Sequence, residues 1–345
     1  MKYKVGMYGG SFDPLHIGHV QVMMRAAAVC ENLYIVLSYA RQRDHIPMEI
    51  RYRWIYHICK HMSHVKIILL EDMAVSEEAY DSQGEWEIGR DKVLSQIKQP
   101  VDVVFCGSDY KDKDIYQKLY QCEVVICDRE EIPISSTQIR QNPYQYWTYL
   151  PEVCRPYYVK KVLVVGGEST GKSTLVQNLA TLYRTNYVAE VGRDVCEMAG
   201  NSEELMIASD FYEILIKHKA QELEAIKHSN RLLFVDTDAL TTLWYSQFLL
   251  SNEQEIQQTQ HLAQAIAAIN RFDLILFLEP TVAFVQDGTR NEKIAADRET
   301  YSNQIKRLLD EQGLAYVCVD GDYANRLEQA KKLIAQILHI DINTP

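Results

Sequence analysis

Short apolar runs rich in β-branched residues alternate with helix-forming segments along almost the whole chain. Such a run, too short for a helix and apolar throughout, is typical of a strand that is buried on both faces. Strands that alternate with helices form parallel sheets, because each crossover between parallel strands needs a helix. The sequence therefore predicts an α/β fold with mainly parallel sheets covered by helices on both faces. The predicted strands are residues 5–8, 33–37, 65–70, 101–105 and 124–127 in the first half, and 162–165, 232–235, 274–278 and 316–319 in the second.

The chain of 345 residues is long enough for two domains. Residues 141–158 are rich in proline and tyrosine, and a new apolar run begins directly after Lys160 and Lys161. We interpret this segment as a stiff aromatic connector that packs against one or both domains, since it lacks the composition of a flexible Gly/Ser tether. The predicted domains are residues 1–156, which include the connector, and 157–345.

Composition excludes several classes of protein. Apolar residues make up 47% of the chain and charged residues 24%, as in ordinary globular proteins. The net charge of −11 argues against general binding to nucleic acid or to anionic membranes, because proteins that bind them carry basic surfaces. Any anion that this protein binds must therefore be held by local geometry.

The cysteines and the N-terminus indicate the compartment. The eight cysteines form no CxxC pair and no zinc-ligand spacing, so we expect free thiols in a reducing environment. The N-terminus lacks the apolar core of a signal peptide, and no apolar run approaches the roughly 18 residues of a membrane span. We therefore expect a cytoplasmic protein without membrane insertion.

The first predicted strand ends in GGSFDPLHIGH, at residues 9–19. Glycines at a strand end let the backbone approach a phosphate, and His16 and His19 lie at the start of the next predicted helix, 20–30, where free N–H groups favour an anion. Two imidazoles at that place can donate hydrogen bonds to phosphate oxygens as charge develops in a transition state. Gly18 between them leaves room for a nucleotide. For a lone histidine, a helix cap or a core residue is the alternative interpretation.

A second segment, ISSTQIR at residues 134–140, suits a triphosphate. Its small hydroxyl residues begin a predicted helix, and Arg140 follows one turn later, where a guanidinium can bind phosphate oxygens. Taken alone, the segment is also compatible with an N-cap and an ordinary helix.

Together, these two segments resemble the signatures of the HxGH nucleotidyltransferase superfamily in its adenylyltransferase branch. FCGSDY, at residues 105–110, is similar to the adenosine-binding stretch of the same family. The resemblance implies a Rossmann-like domain in which His16, His19 and Arg140 are catalytic. The implied ATP-binding residues are Gly9, Gly10, Ser11, Phe12, His16, Gly18, His19, Gly107, Asp109, Ser135, Ser136, Thr137 and Arg140.

RYRW, at residues 51–54, resembles the RxRW string of nicotinamide mononucleotide adenylyltransferases. Trp54 and Trp86 are the candidates for stacking on a cationic nicotinamide ring. For each, a place in the core is the alternative. We favour Trp86, because Gly84–Glu87 has the polar composition of a loop whereas Trp54 lies in a helical pattern.

The strand predicted at 162–165 is followed by GGESTGKST and then by a helical pattern. This is a GxxxxGK[ST] phosphate-binding loop in the strand–loop–helix context that it requires. Backbone N–H groups of the loop surround the β-phosphate, Lys172 reaches the β and γ oxygens, and Ser173 ligates Mg²⁺. The predicted ATP-binding residues here are Gly167, Glu168, Ser169, Thr170, Gly171, Lys172, Ser173 and Thr174.

Several charged residues follow the other strands of the second half. Asp236, at a strand end, is placed to hold magnesium or to accept the proton of a substrate hydroxyl; Asp236 and Asp238 are also plausible helix caps. Glu190 and Arg193 lie after a strand-like pair, where the ribose of a nucleoside substrate is expected. Arg290, with Lys293 and Arg298 beyond it, is predicted to bind the transferred phosphoryl group, and a solvated helix of mixed charge is the alternative for Arg298.

The P-loop, AEVGRD at 189–194, FVDTD at 234–238 and the connector together resemble a bifunctional family that fuses nicotinamide mononucleotide adenylyltransferase to ribosylnicotinamide kinase (NadR-type). The resemblance covers nearly the whole chain. It implies a Rossmann-like sheet followed by a P-loop kinase sheet, with catalytic roles for Lys172 and Asp236 and a nicotinamide substrate near Trp54, Trp86, Glu190, Arg193 and Asp238. Some members carry an N-terminal helix-turn-helix domain, and HIGH at residues 16–19 leaves no room for one here, so we expect no repressor role.

The expected function is a two-step synthesis of NAD from ribosylnicotinamide. The partners implied are ATP, ribosylnicotinamide, nicotinamide mononucleotide and NAD, with Mg²⁺ as cofactor and no nucleic acid; a homo-oligomer is left open. Three alternatives remain: a coenzyme A synthase-like fusion, which should show a TxGH-type signature, a first domain kept only as a nucleotide sensor, and a purely ATP-binding role.

Overall fold

The computed structural model describes residues 2–72, 83–107, 113–127, 132–200, 205–285 and 291–339. The chain divides into two compact units, Met1–Cys154 and Arg155–Pro345. Over the described residues, each unit is built on one sheet in which every strand pairing is parallel. The prediction of parallel α/β sheets is confirmed.

The first unit forms a five-stranded sheet in the order β3-β2-β1-β4-β5. Tyr8 of the central strand β1 lies between Ile35 of β2 and Phe105 of β4. Because β1 has a neighbour on each side, the crossovers diverge and leave a crevice at its carboxyl end. The elements are β1 (Tyr3–Gly10), α1 (Ile17–Val29), β2 (Cys30–Tyr39), α2 (Met48–Cys59), β3 (Val65–Glu71), α3 (Gln83–Ile97), β4 (Val103–Gly107), α4 (Lys113–Tyr120), β5 (Glu123–Cys127) and α5 (Ser136–Gln141).

The second unit has a sheet in the order β10-β9-β6-β8-β7. Val164 of the central strand β6 lies between Asp236 of β8 and Leu276 of β9, so the carboxyl end of β6 again opens a crevice. The elements are β6 (Lys160–Gly166), α6 (Lys172–Tyr183), β7 (Tyr187–Val188), α7 (Val191–Met198), α8 (Ala208–Ala225), β8 (Leu232–Asp236), α9 (Ala239–Leu249), α10 (Glu253–Ile269), β9 (Leu274–Leu278), α11 (Glu292–Ala296), α12 (Arg298–Glu311), β10 (Val317–Val319) and α13 (Tyr323–Leu338).

Both sheets are covered on two faces, and most residues of their central strands are buried. Val162, Val164, Leu233 and Val235 are fully buried in the second sheet. In the first unit, Met7 and neighbouring apolar side chains of β1, β2 and β4 form a core cluster with residues of α3. This burial explains why the strands show as continuous apolar runs in the sequence.

The segment around Trp86 is not the polar loop that the sequence suggested. Gln83–Ile97 is a helix, and Trp86 packs against the core cluster of the first sheet, with its ring edge-on to Tyr116 at a centroid distance of 5.5 Å. Burial of a large aromatic ring against the sheet outweighs the low helix propensity of Gly84 in the first turn.

The connector contains two short 3₁₀ turns, Trp147–Tyr149 and Glu152–Tyr157. The rings of Tyr144 and Trp147 stack, with centroids 6.4 Å apart. All eight cysteines are free, as expected. Within the described ranges, no helix is both long and apolar enough to cross a membrane.

Two candidate nucleotide sites

The first candidate site lies at the carboxyl end of β1, where His16 caps α1. The Nδ1 atom of His16 accepts a hydrogen bond from the backbone N–H of His19 at 3.4 Å, and Nδ1 of His19 accepts one from the N–H of His16 at 3.3 Å. Each neutral ring therefore carries its proton on Nε2. Phe12 contacts the His19 ring edge-on at 5.1 Å. The capping pair thus presents two Nε2–H donors at a helix N-terminus, which suits an anion.

The start of α5 is attached to the loop before α1. Ser136 Oγ donates a hydrogen bond to the carbonyl of Pro14 at 3.0 Å. The guanidinium of Arg140 donates to the carbonyl of Asp13 and, at 3.0 Å, to Thr137 Oγ1. The two predicted signatures, more than a hundred residues apart in the chain, therefore meet at one place.

The signatures enclose a cavity of about 280 Å³. Every residue predicted for ATP in this half lines it except Asp109, which lies outside the described residues. Those lining residues are Gly9, Gly10, Ser11, Phe12, His16, Gly18, His19, Gly107, Ser135, Ser136, Thr137 and Arg140. Gln21 and Arg25 of α1 also line it; sequence reasoning missed them, although Arg25 follows His19 by less than two helical turns.

Arg51 of the RYRW string has a supporting place in the core. Its side chain is fully buried, donates to the carbonyl of Ser11 at 2.5 Å and forms an ion pair with Asp44. Asp13 accepts hydrogen bonds from the backbone N–H groups of His45 and Ile46. These contacts fix the glycine-rich loop from beneath.

Neither tryptophan predicted for nicotinamide lies among the residues that line the cavity. Trp54 is 5% exposed and belongs to the core. Trp86 is half-buried against its own core cluster. The preference for Trp86 over Trp54 depends on a predicted loop at Gly84–Glu87, and this segment is helical in the structure.

The second candidate site is the P-loop between β6 and α6. Gly166 has a φ of +150°, and a Cβ on it would lie 2.7 Å from the carbonyl oxygen of Leu278, so only glycine fits. Gly171, with a φ of +84°, is the N-cap of α6. Lys172 is buried, and its Nζ donates to the carbonyl of Gly167 at 3.0 Å, which holds the ammonium over the loop.

Asp236 lies at the end of β8, next to the P-loop. Its carboxyl is 1% exposed. Burial, followed by the negative charge of Glu190, raises the pKa of Asp236 to about 6, while Lys172 and the hydroxyl of Ser173 act in the opposite direction. Within the described part of the chain, Oδ1 of Asp236 is buried without a hydrogen-bond partner. Thr237 follows with a φ of +65°, a strained conformation for a β-branched residue.

A pocket of about 210 Å³ adjoins the P-loop on the β7–β8 side of the sheet. Several residues predicted for the second site line this pocket. They are the loop residues Glu168 to Thr174, together with Glu190 and Arg193. Sequence reasoning missed its apolar wall, because the residues come from three separate helices and the segment before α8, and they give no common signal in the sequence. The wall consists of Cys196, Met206, Phe211, Ile214, Tyr245 and Leu249.

Two predicted residues have other roles in the structure. Asp238 is buried and caps α9, accepting hydrogen bonds from the N–H of Thr241 at 3.1 Å and from its hydroxyl at 3.0 Å; burial raises the pKa of its carboxyl. Arg298 donates to the carbonyls of Val282 and Ser169, so it braces the P-loop. Arg290 lies outside the described residues.

Comparisons with known proteins find a different family in each half of the chain. The cytidylyltransferase-like family matches residues 7–142, and an AAA domain family matches residues 161–326. The chain is 30% identical to the trifunctional NAD biosynthesis/regulator protein NadR of Escherichia coli (strain K12), over 98% of this chain and 84% of that protein. It is also 30% identical to NadR of Salmonella typhimurium, over 97% of this chain and 83% of that protein.

Solved structures show the same fold. A crystal structure of NadR protein in complex with NR matches with a TM-score of 0.83 at 24% identity, covering 100% of this chain and 98% of the other. A second, of NadR protein in complex with NAD and AMP-PNP, matches with a TM-score of 0.80 at 23% identity, covering 99% and 98%. The expected order, a nucleotidyltransferase-like sheet followed by a P-loop sheet, is confirmed.

Proposed function

Because the chain belongs to the NadR family, we propose that it is a bifunctional enzyme that makes NAD from ribosylnicotinamide in two transfers from ATP. The second unit phosphorylates ribosylnicotinamide to nicotinamide mononucleotide. The first unit adenylylates that mononucleotide to NAD and releases pyrophosphate. The observation that supports the proposal is that one chain holds two candidate phosphate sites, the paired His16 and His19 in one unit and the P-loop with Asp236 in the other.

In the kinase step, the 5′-hydroxyl of ribosylnicotinamide attacks the γ-phosphorus of ATP, and ADP leaves. Lys172 and the loop N–H groups bind the phosphates, and the pocket of about 210 Å³ beside them receives the nucleoside. Glu190 and Arg193 line this pocket and are our candidates for binding the ribose, and the apolar wall with Phe211 suits a flat ring. The chemistry requires positioning and charge stabilisation but no covalent enzyme intermediate.

A magnesium ion fits the residues present beside the P-loop. The unpartnered Oδ1 of buried Asp236 and the hydroxyl of Ser173 next to it are oxygen ligands of the kind that Mg²⁺ takes together with substrate phosphates. When bound, the ion neutralises charge on the β- and γ-phosphate oxygens. Asp236 must be ionised to hold it.

In the adenylyl transfer, a phosphate oxygen of the mononucleotide attacks the α-phosphorus of a second ATP. The two Nε2–H donors of His16 and His19 and the guanidinium of Arg140 stabilise the charge that develops on the phosphate oxygens. Ser135, Ser136 and Thr137 add hydroxyl and backbone donors at the start of α5. Their place in one cavity with the histidines supports a triphosphate site.

We further propose that the protein works in the cytoplasm. The eight free cysteines suit a reducing compartment, because thiols that persist unpaired are typical of one.

Incubation with ATP, Mg²⁺ and ribosylnicotinamide, followed by mass spectrometry, tests both steps. We expect nicotinamide mononucleotide and NAD to appear in that order. If mononucleotide forms without NAD, the first unit is a nucleotide sensor and not an adenylyltransferase. Absence of both products would refute the proposal. NAD formed from added mononucleotide but not from the riboside would refute only the kinase assignment.

A further inference from the structure

Tyr323, the first residue of α13, is 50% exposed although its ring touches the P-loop. The ring atom Cε1 lies 2.9 Å from the position that a Cβ on Gly171 would occupy, and Cδ1 and Cζ lie at 3.7 Å. A side chain at residue 171 would therefore collide with this ring. An aromatic ring that is half in water thus adjoins the loop that binds triphosphate.

The segment that carries Tyr323 is fixed to the P-loop by Arg326, whose side chain is 2% exposed. Its guanidinium donates hydrogen bonds to the carbonyl of Thr170 in the P-loop, to the carbonyl of Glu279 at 2.7 Å and to the carbonyl of Gly321 at 3.0 Å. A buried cation that satisfies carbonyls of three segments holds those segments at fixed distances. The position of the Tyr323 ring beside the loop is therefore built into the fold.

The nucleoside pocket lies on the other side of the loop. Its lining residues come from the P-loop, α7, α8, α9, the turn after β8 and the segment before α8, and the sheet order is β10-β9-β6-β8-β7. In an in-line transfer, the attacking hydroxyl and the leaving ADP lie on opposite sides of the transferred phosphorus. This arrangement is compatible with an adenosine that leaves the P-loop on the β9–β10 side of the sheet, where Tyr323 follows β10.

We propose that the adenine of the kinase ATP stacks on Tyr323, and that Arg326 is the positioning residue that holds this ring against the P-loop. The proposal rests on the kinase activity proposed above. Stacking on an aromatic side chain accepts any base but is stronger for the larger purine ring. The second unit should therefore prefer purine over pyrimidine nucleoside triphosphates through Tyr323.

Initial rates of ADP or CDP release in the presence of ribosylnicotinamide test the stacking, because pyrophosphate from the first unit does not enter this readout. Tyr323→Ala should raise the KM for ATP about tenfold and reduce the preference for ATP over CTP. The KM for ribosylnicotinamide should not change. Tyr323→Phe, which keeps the ring, should retain the ATP affinity and the purine preference.

Inhibition by inorganic tripolyphosphate separates stacking from damage to the P-loop, because this inhibitor has no base. Equal tripolyphosphate inhibition of the wild type and Tyr323→Ala, with a raised KM for ATP only in the variant, supports the proposal. An unchanged KM for ATP overturns it, as does an equal rise for ATP and CTP with weaker tripolyphosphate inhibition. No ADP from the wild-type protein would instead refute the kinase assignment, and the stacking proposal with it.

Discussion

The imidazole rings of His16 and His19 stack with their centroids 3.6 Å apart, and each ring accepts a hydrogen bond from the backbone N–H of the other residue. The pair is therefore a single unit in which Nδ1 serves the helix cap and Nε2 serves the ligand. Removal of either ring frees the other from its fixed orientation. The first site should consequently respond to single histidine substitutions as strongly as to the loss of both rings.

His19→Ala should lower NAD formation from nicotinamide mononucleotide by about a hundredfold or more, because a preorganised donor to the developing phosphate charge is lost. Kinase turnover, measured as ADP release with ribosylnicotinamide, should stay near the wild-type value. The double variant His16→Ala/His19→Ala serves as the reference for complete loss of the pair. Independent, additive losses at the two positions would contradict a single coupled unit.

Lys172→Ala should have the opposite effect on the two activities. The variant lacks the ammonium that reaches the β and γ oxygens, so mononucleotide formation should fall by about a hundredfold or more. NAD formation from added mononucleotide should remain. If this change silenced both activities in a folded protein, the model of two separate sites would be wrong.

The sequence alone predicts a candidate site where the functional residues are neighbours in the chain. HIGH, ISSTQIR and the P-loop each place their chemistry within a few residues of a strand end or a helix start, and local geometry fixes the result. The apolar wall around Phe211 and Tyr245 has no such signal, because residues from α7, α8 and α9 meet only after the helices pack. The role of Arg326 could not be predicted for the same reason, since the carbonyl groups that accept its hydrogen bonds lie up to 156 residues away in the chain.

Trp86 and Arg51 show that local composition does not by itself predict the structure around a residue. The polar sequence around Trp86 favoured a loop, but contact with Tyr116 and the core cluster stabilises a helix there. Arg51, which the sequence singles out only through the resemblance of RYRW to a motif, is a buried ion-pair partner. In both cases, packing against residues that are distant in the sequence determines the local structure.

Arg51→Met should destabilise the first unit by about 3–5 kcal/mol, because the substitution leaves Asp44 in a partly buried place without its cation. Arg53, two residues away in the same string, is exposed and offers a matched control. Arg53→Met should change the free energy of unfolding by no more than about 0.5 kcal/mol. Urea unfolding of both variants measures the difference, and equal effects would show that the Arg51 ion pair has no special role.

Asp236→Asn should make the second unit more stable while it removes kinase activity. Burial raises the pKa of Asp236 to about 6 in the folded protein, against about 3.9 in the unfolded chain. The folded state therefore binds the proton more tightly, and ionisation of Asp236 costs stability as the pH rises from about 4 through 6. This cost, about 3 kcal/mol when complete, is absent from the asparagine variant.

The gain in stability should therefore depend on pH. Above pH 7 the variant should exceed the wild type by about 3 kcal/mol, and at pH 5 by about half as much, because the carboxyl is then largely protonated in the folded state and largely ionised in the unfolded one. Urea unfolding at the two pH values measures this difference. A gain that is equal at both pH values would mean that relief of the buried charge is not its cause. A loss of stability at pH 8 would mean that Lys172 and Ser173 stabilise the carboxylate more than burial destabilises it.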